Sequence, residues 1–303
     1  MRPMPDHGLM AEYTAPRRLT VPIRNRYGEG DMAVLDFGPR ERPVDLVFAH
    51  ANGFNAYTYR SLLAPLAENL RIWAPDLRGH GRSTLPTSTH RRRNWHDHRD
   101  DMVGLIEAID SPGLMLAGHS IGGVSSLLAA SRVPERVSSL LLLDPVIWPK
   151  TTVAAFQMPV FDKLPSRSPI VRSTLRRRSV FDSRDQAFES WKGRGAFKGW
   201  PDEALHDYLV DGLLETPEGL RLACSPEWEA SNYSAQSHNP WQALRGFGGP
   251  VRILRAERGS LCALMRGRDN VRVETVKGGG HLFPMTHPEV VRKAVTDLVS
   301  RVD

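Results

Sequence analysis

A serine stands in a glycine-rich turn, Gly118-His119-Ser120-Ile121-Gly122, between an apolar run and a helix-like stretch. The G-x-S-x-G spacing lifts a hydroxyl above a sharp strand-to-helix corner, because the glycines let backbone pass where a Cβ would clash. The same bend aims the following N–H, that of Ile121, at the point of attack. The motif predicts Ser120 as a nucleophile and the Ile121 N–H as an oxyanion donor.

A serine hydroxyl is a weak nucleophile unless a base removes its proton and an acid orients that base. His281 follows Lys277-Gly278-Gly279-Gly280 near the carboxyl end, in a loop that can return an imidazole over a sheet. Its place fits the chain order nucleophile, acid, histidine. We therefore predict His281 as the base, with a surface or capping histidine as the alternative.

Two acids compete for the third role. Asp144 directly follows the apolar run Ser139–Leu143, and Glu257 follows the run Val251–Ala256. An acid at the end of either strand can reach an imidazole above the sheet. We favour Asp144 and keep Glu257 as the alternative, since an aspartate here can also be a plain strand-end cap.

A second oxyanion donor is predicted in the loop His50-Ala51-Asn52-Gly53-Phe54-Asn55, which follows an apolar run. The Asn52 backbone N–H would stand opposite that of Ile121, and its side chain, if it points inward, would add a third donor. Such donors contribute on the order of 3 kcal/mol each to transition-state stabilisation. Asn-Gly is also a common surface turn, so this assignment depends on Ser120.

Other polar segments predict structure instead of chemistry. In Asp76-Leu77-Arg78-Gly79, we expect Asp76 and Arg78 to pair or to bond backbone. His96 and His98 would diverge on a helix, and nearby arginines would repel a cation, so no metal site is expected. The chain has no dinucleotide fingerprint and no P-loop, so no cofactor is expected either.

The elements that must position these residues follow from alternating apolar runs and amphipathic stretches, a pattern typical of a mostly parallel sheet covered by helices. Eight strands are predicted, the first two as a hairpin. They are Thr20–Arg24, Met32–Phe37, Val44–Phe48, Ile72–Ala74, Leu114–Ala117, Ser139–Leu143, Val251–Leu254 and Val271–Val276.

The alternation lapses over residues 149–239, which we call the insertion. It is rich in proline, arginine and aromatic residues, and it leaves the chain just past a strand end, where ligands bind in open α/β sheets. We predict a helical cap, or lid, above a core formed by residues 1–148 and 240–303.

Composition and charge limit the kinds of partner that the protein is expected to bind. At 303 residues, 41% apolar and 24% charged, the chain has the composition of an ordinary globular protein. Its net charge of +6 reflects residues 163–198, where ten Lys or Arg face three Asp or Glu, and no nucleic-acid motif accompanies them. We expect a small-molecule substrate, no nucleic-acid partner, and no membrane span, since no apolar run approaches ~20 residues. Assembly into a homo-oligomer is left open by the sequence.

Two cysteines, Cys224 and Cys262, lie in separate regions without a C-x-x-C pattern, which favours free buried thiols over a disulfide. The amino-terminal MRPMPDHGLM carries Pro and Asp where a signal peptide needs an apolar core. These features predict a cytoplasmic protein.

Taken together, the segments GHSIGG, HANGFN, APDLRGHGRS, LLLLDP and GGGHLFP resemble the α/β-hydrolase fold family over about residues 18–150 and 240–300. In that family the acid usually follows the seventh strand. The chain is similar to the haloalkane dehalogenase-like branch, which includes members with the acid after strand six, where Asp144 stands. Those dehalogenases have an Asp nucleophile followed by Trp, whereas Ser120 and Ile121 stand here, which argues against carbon–halogen and epoxide opening.

The sequence thus predicts a serine hydrolase that cleaves a carboxylic ester, thioester or lactone of a hydrophobic small molecule. A carbon–carbon bond hydrolase or an acyltransferase would use the same triad on the same fold. A ligand-binding scaffold with a degenerate site is the alternative from another class, because fold alone does not license function.

Overall fold

The computed structural model describes residues 15–111, 113–161, 167–217, 219–267 and 269–299. The amino-terminal segment that bears on a signal peptide lies outside the described residues. Within them, no helix is both long enough and apolar enough to cross a membrane.

The fold is built on an eight-stranded sheet, and each of the eight predicted strands is present. Its strands are β1 Arg17–Asn25, β2 Gly28–Phe37, β3 Leu46–Ala49, β4 Ile72–Pro75, β5 Leu114–His119, β6 Val137–Leu143, β10 Val251–Ala256 and β11 Val271–Val276. Their order in the sheet is β1-β2-β4-β3-β5-β6-β10-β11; β2 runs antiparallel to both its neighbours, and the pairs from β4 to β11 are parallel. The predicted mostly parallel sheet is confirmed.

Side chains of the central strands alternate between two hydrophobic cores. In β3, Leu46 and Phe48 pack into one core, while Val47 and Ala49 pack into the other. All six residues of β5 are buried. Because both faces of a parallel sheet are covered, its strands appear in the sequence as nearly continuous apolar runs.

Helices cover both faces. The first core includes residues of α1, α10 and α11, and the second includes residues of α2, α3 and α9. In α11 the buried residues are Val291, Ala294, Val295 and Leu298, a 3.6-residue spacing that gives one apolar stripe. These helices are α1 Arg60–Leu63, α2 His96–Ala108, α3 Ile121–Ala130, α9 Pro240–Gly246, α10 Phe283–Thr286 and α11 Pro288–Val299.

The insertion is mainly helical and also contains a small three-stranded antiparallel sheet. This sheet was not predicted, because strands of two to four residues give no clear pattern in the sequence. Its strand order is β7-β9-β8. The division into core and cap stays a prediction. The insertion comprises α4 Lys150–Gln157, α5 Pro169–Leu175, β7 Val180–Phe181, α6 Arg184–Trp191, α7 Asp202–Gly212, β8 Leu213–Thr216, β9 Gly219–Leu222 and α8 Pro226–Ser234.

Ion pairs join the insertion to the sheet. Asp211, at the end of α7, is fully buried and accepts from Arg18 at 2.8 Å and from Arg82 at 2.6 Å. One turn earlier, Asp207 pairs with Arg60 at 2.7 Å. The side chains of Arg18 and Arg82 are 42% and 47% exposed, so the partners of the buried carboxylate lie at the rim.

Candidate active site

Ser120 occupies the corner between β5 and α3 with φ 56° and ψ −117°, a backbone conformation that L residues rarely adopt. A Cβ on Gly118 would lie 2.5 Å from the Gly122 carbonyl carbon, and one on Gly122 would lie 2.3 Å from the Ala49 carbonyl oxygen. Both glycines are therefore required for the turn to close. The turn leaves Ser120 at the carboxyl edge of the sheet, lining a cavity.

His281 meets Ser120 from the loop after β11. Its Nε2 lies 3.1 Å from Ser120 Oγ, and its Nδ1 lies 2.6 Å from Asp144 Oδ2. Gly278, with φ 74°, turns the loop back toward the sheet. The three predicted side chains are thus in contact in the order hydroxyl, imidazole, carboxylate, an arrangement able to activate the hydroxyl by proton transfer.

Asp144 lies at the end of β6 and is fully buried. Its Oδ1 accepts from the Ala256 N–H at 2.9 Å and from Ser260 Oγ at 2.5 Å, and its Oδ2 accepts from the Leu261 N–H at 3.1 Å as well as from His281. Burial opposes ionisation, but hydrogen bonds from His281, Ser260 and Ala256 outweigh it and hold the Asp144 pKa below its usual value. The carboxylate is fixed in both position and charge.

Glu257 does not meet the imidazole in this structure. It is exposed, and its Oε2 accepts from the Gly278 N–H at 2.9 Å. Glu257 therefore connects the glycine loop, residues 278–280, to the end of β10. Ser260 was not predicted from the sequence. Together with the Leu261 N–H, it makes the segment after β10 a donor set for Asp144. The one signal in the sequence was that Glu257-Arg258-Gly259-Ser260, which follows this strand, contains no aspartate.

The Asn52 loop follows β3 and brings a second backbone donor to the cavity. Asn52 and Ile121 both line the cavity beside Ser120, and neither backbone N–H has an acceptor among the described residues. The Asn52 side chain is hydrogen-bonded to the insertion, and its role as a third donor stays a prediction. Its Nδ2 donates to the Glu229 carbonyl at 3.0 Å, and its Oδ1 accepts from Asn232 at 2.7 Å.

Two buried histidines, His50 and His80, fix this loop by hydrogen bonds to backbone. The Leu77 N–H donates to His50 Nε2 at 2.9 Å, so His50 Nδ1 carries the proton that goes to the Ala51 carbonyl at 2.7 Å. The Gly53 N–H donates to His80 Nε2 at 3.1 Å. Burial lowers the His50 pKa to about 3 and also lowers that of His80, so both rings stay neutral acceptors.

A buried chain of hydrogen bonds joins the three parts of the site. The Ala51 N–H donates to Tyr59 Oη at 3.1 Å, and that hydroxyl donates to His119 Nδ1 at 2.7 Å. His119 Nε2 then donates to the His281 carbonyl at 2.8 Å. Burial lowers the His119 pKa to about 3. His119, the residue before Ser120, thus positions the backbone of His281, a role that was not predicted from the sequence.

The segment after β4 is structural, as expected, but its two charged residues do not pair with each other. Asp76 accepts the N–H groups of Ala56 at 2.8 Å and Arg82 at 2.9 Å, and Arg78 pairs with Asp101 at 2.6 Å. Both predicted thiols, Cys224 and Cys262, are free and buried. No group of three or more His, Cys, Asp or Glu able to hold a metal occurs among the residues described.

A cavity of about 820 Å³ opens over Ser120 and His281. The sheet side contributes the Asn52 loop and the nucleophile corner, and the insertion contributes most of the facing wall. Eight aromatic side chains line the cavity and form its aromatic wall, three from residues 54–148 and five from the insertion. They are Phe54, Trp95, Trp148, Phe156, Trp191, Phe197, Tyr208 and Tyr233.

The chain is similar in sequence to curated hydrolases. The curated 2-(acetamidomethylene)succinate hydrolase of Mesorhizobium japonicum is 25% identical over 265 residues, covering 84% of this chain and 87% of that protein. A 2-hydroxymuconate semialdehyde hydrolase of a Pseudomonas species is 34% identical, but only over 33% of this chain and 35% of its own length.

A solved structure of E-2-(acetamidomethylene)succinate hydrolase superposes with a TM-score of 0.72 at 24% identity, covering 94% of this chain and all of that one. At this identity the likeness shows the shared fold. The sequence model described as the alpha/beta hydrolase family matches residues 46–294, which is most of the chain and includes Ser120, both candidate acids and His281. The protein therefore belongs to the alpha/beta hydrolase family and is by family a hydrolase.

Proposed function

We propose that the protein is a serine hydrolase that cleaves a carboxylic ester of a hydrophobic small molecule through an acyl-enzyme, with thioesters and lactones as related substrates. The observation that carries the proposal is the contact series from Ser120 Oγ to His281 Nε2, 3.1 Å, and from His281 Nδ1 to Asp144 Oδ2, 2.6 Å. A cytoplasmic location is part of the proposal, supported by the two free buried cysteines.

In the first half-reaction, Ser120 Oγ attacks the carbonyl carbon while His281 Nε2 takes the hydroxyl proton. The imidazolium that forms is stabilised by Asp144, whose carboxylate stays ionised. Negative charge on the carbonyl oxygen is received by the N–H groups of Asn52 and Ile121, each contributing on the order of 3 kcal/mol. Collapse of the intermediate passes the proton from His281 to the leaving alcohol.

In the second half-reaction, water attacks the acyl-enzyme, and His281 acts again as base and then as acid. The aromatic wall supports a substrate with an apolar acyl or aryl portion, since such pockets bind mainly by burying apolar surface.

The test is hydrolysis of p-nitrophenyl butyrate by the protein and by Ser120→Ala. We expect kcat to fall by roughly 10⁴- to 10⁶-fold, with the circular dichroism spectrum unchanged. A fluorophosphonate probe should label the unaltered protein and leave the variant unlabelled. Retained turnover in the variant removes Ser120 as nucleophile, and an unlabelled starting protein favours the ligand-binding scaffold.

Carbon–carbon bond hydrolysis is the second candidate, because the same three side chains would serve it and a relative named 2-hydroxymuconate semialdehyde hydrolase aligns with a third of the chain. Turnover of a vinylogous diketone at a higher kcat/KM than any ester in a matched panel would favour it. Acyl transfer remains a third use of the triad. Transfer product in assays with mixed alcohol and water acceptors would reveal it.

A further inference from the structure

The charged residues of the cavity wall are few and unbalanced. Among the described residues that line the cavity, the Arg, Lys, Asp and Glu side chains are Arg177, Arg194 and Glu229. Two positive charges thus face one negative charge in a wall that is otherwise mostly apolar. An excess positive charge in such surroundings favours an anionic ligand, because apolar walls screen charge less than water does.

Arg177 lies inside the cavity while its neighbours face solvent. It follows α5 within three successive arginines, of which Arg176 and Arg178 are exposed. Its Nη1 lies 2.6 Å from Glu229 Oε2, and its side chain keeps 27% of its surface exposed whereas that of Glu229 keeps 7%. A guanidinium has five N–H donors in a planar fork. Glu229 takes one of these donors and Tyr208 shares a side-chain hydrogen bond with Arg177, which leaves further donors of this partly exposed, cavity-lining guanidinium for a ligand.

The pair stands close to the oxyanion loop. A Cβ added to Gly53, the residue after Asn52, would lie 2.7 Å from Glu229 Oε1. The Asn52 side chain also bonds the Glu229 carbonyl at 3.0 Å. A substrate group bound by Arg177 therefore lies on the same side of the cavity as Asn52, whose N–H is the proposed donor to the substrate carbonyl oxygen.

We propose that Arg177 binds a carboxylate of the substrate, so that the preferred substrate joins a scissile acyl group and an apolar or aryl body to one carboxylate. The proposal rests on the proposed function for the bond that is cleaved, while carboxylate binding itself needs no turnover. The open N–H donors would form charge-assisted hydrogen bonds, which are shorter and stronger than neutral ones. Arg194, exposed at the cavity wall, adds further attraction for an anion.

Kinetics on a matched pair of esters tests this assignment. We expect kcat/KM for mono-p-nitrophenyl glutarate to exceed that for p-nitrophenyl valerate, which is of similar length but neutral. The measured quantity is this ratio, because Arg177→Gln also leaves Glu229 buried without its partner and slows both reactions. The ratio should fall about 10- to 100-fold in Arg177→Gln, as expected for a lost hydrogen bond to a charged group.

Two further variants separate binding from structure. Glu229→Gln releases Arg177 and should raise the ratio, which a purely structural ion pair would not do. Arg176→Gln removes the same charge from the adjacent, solvent-facing position and should leave the ratio unchanged. A ratio near one in the unaltered protein, or an equal fall in Arg176→Gln and Arg177→Gln, overturns the proposal.

Binding without turnover keeps this result apart from the proposed function. In Ser120→Ala, calorimetric titration should show 4-phenylbutyrate binding at least tenfold more tightly than 4-phenylbutanol, with the difference lost when Arg177→Gln is added. Equal affinities overturn the carboxylate site even if esters are hydrolysed. Tighter binding of the acid supports the site even if no ester in the panel is cleaved.

Discussion

The edge of the sheet at Ser120 and the junction with the insertion hold their buried carboxylates by different kinds of contact. At the edge, Asp144 is fully buried and receives four hydrogen bonds, from the end of β10, from the segment after it and from His281. At the junction, Asp211 is equally buried, but its partners are two arginines about half exposed at the rim. Asp144 is held by groups placed near strand ends, two of them backbone N–H groups, whereas Asp211 depends on long side chains that water can also satisfy.

The largest effect is expected at the edge, from Asp144→Asn. The amide keeps the shape but cannot stabilise the imidazolium, and it lets His281 adopt the wrong tautomer. We expect kcat for an ester to fall by roughly 10³- to 10⁴-fold, with KM little changed. Stopped-flow or steady-state release of p-nitrophenol measures it.

Glu257→Gln is the matched control, because it removes a carboxylate from the other candidate acid while keeping an oxygen to accept from Gly278. We expect less than about a threefold change in kcat, since the hydrogen bond is exposed. If Glu257→Gln loses activity and Asp144→Asn does not, the assignment of the acid is wrong.

A smaller effect at the same edge is expected from Gly122→Ala. The added Cβ would stand 2.3 Å from the Ala49 carbonyl oxygen and 2.5 Å from that of His50, both backbone atoms. We expect the free energy of unfolding in urea to fall by about 3 kcal/mol, the upper end for overpacking. Gly248→Ala is the control, since its Cβ would meet nothing within 4 Å. A Gly122→Ala protein as stable as this control contradicts the tight corner.

The parts of the fold and the site that the sequence could predict are those that depend on short, local patterns. The eight strands and the corner at Ser120 follow from local patterns, since apolar runs mark buried strands and glycine spacing marks the turn. Asp144 and His281 are found by their places just after strands. Each of these signals spans only a few consecutive residues.

The remaining parts of the site depend on contacts between distant segments. Ser260 reaches Asp144 across 116 positions, and Asn52 meets Asn232 across 180. The hydrogen bond from Tyr59 to His119 could not be predicted either, because neither residue lies in a sequence pattern that indicates the other as its partner. Which of three successive arginines faces the cavity depends on how α5 packs, so Arg177 could not be singled out in advance.

The smallest effect is expected where the insertion meets the sheet, from Asp211→Asn. The amide keeps the size of the side chain but loses the charge that pairs with both arginines, and Arg18 and Arg82 can turn to water in compensation. We expect the free energy of unfolding to fall by about 1 to 3 kcal/mol, with a rise in KM larger than any fall in kcat. Asp202→Asn, on the same helix but paired with exposed Lys192, should change stability by less than about 0.5 kcal/mol. Equal losses in the two variants would mean that burial of Asp211 adds nothing to the attachment of the insertion.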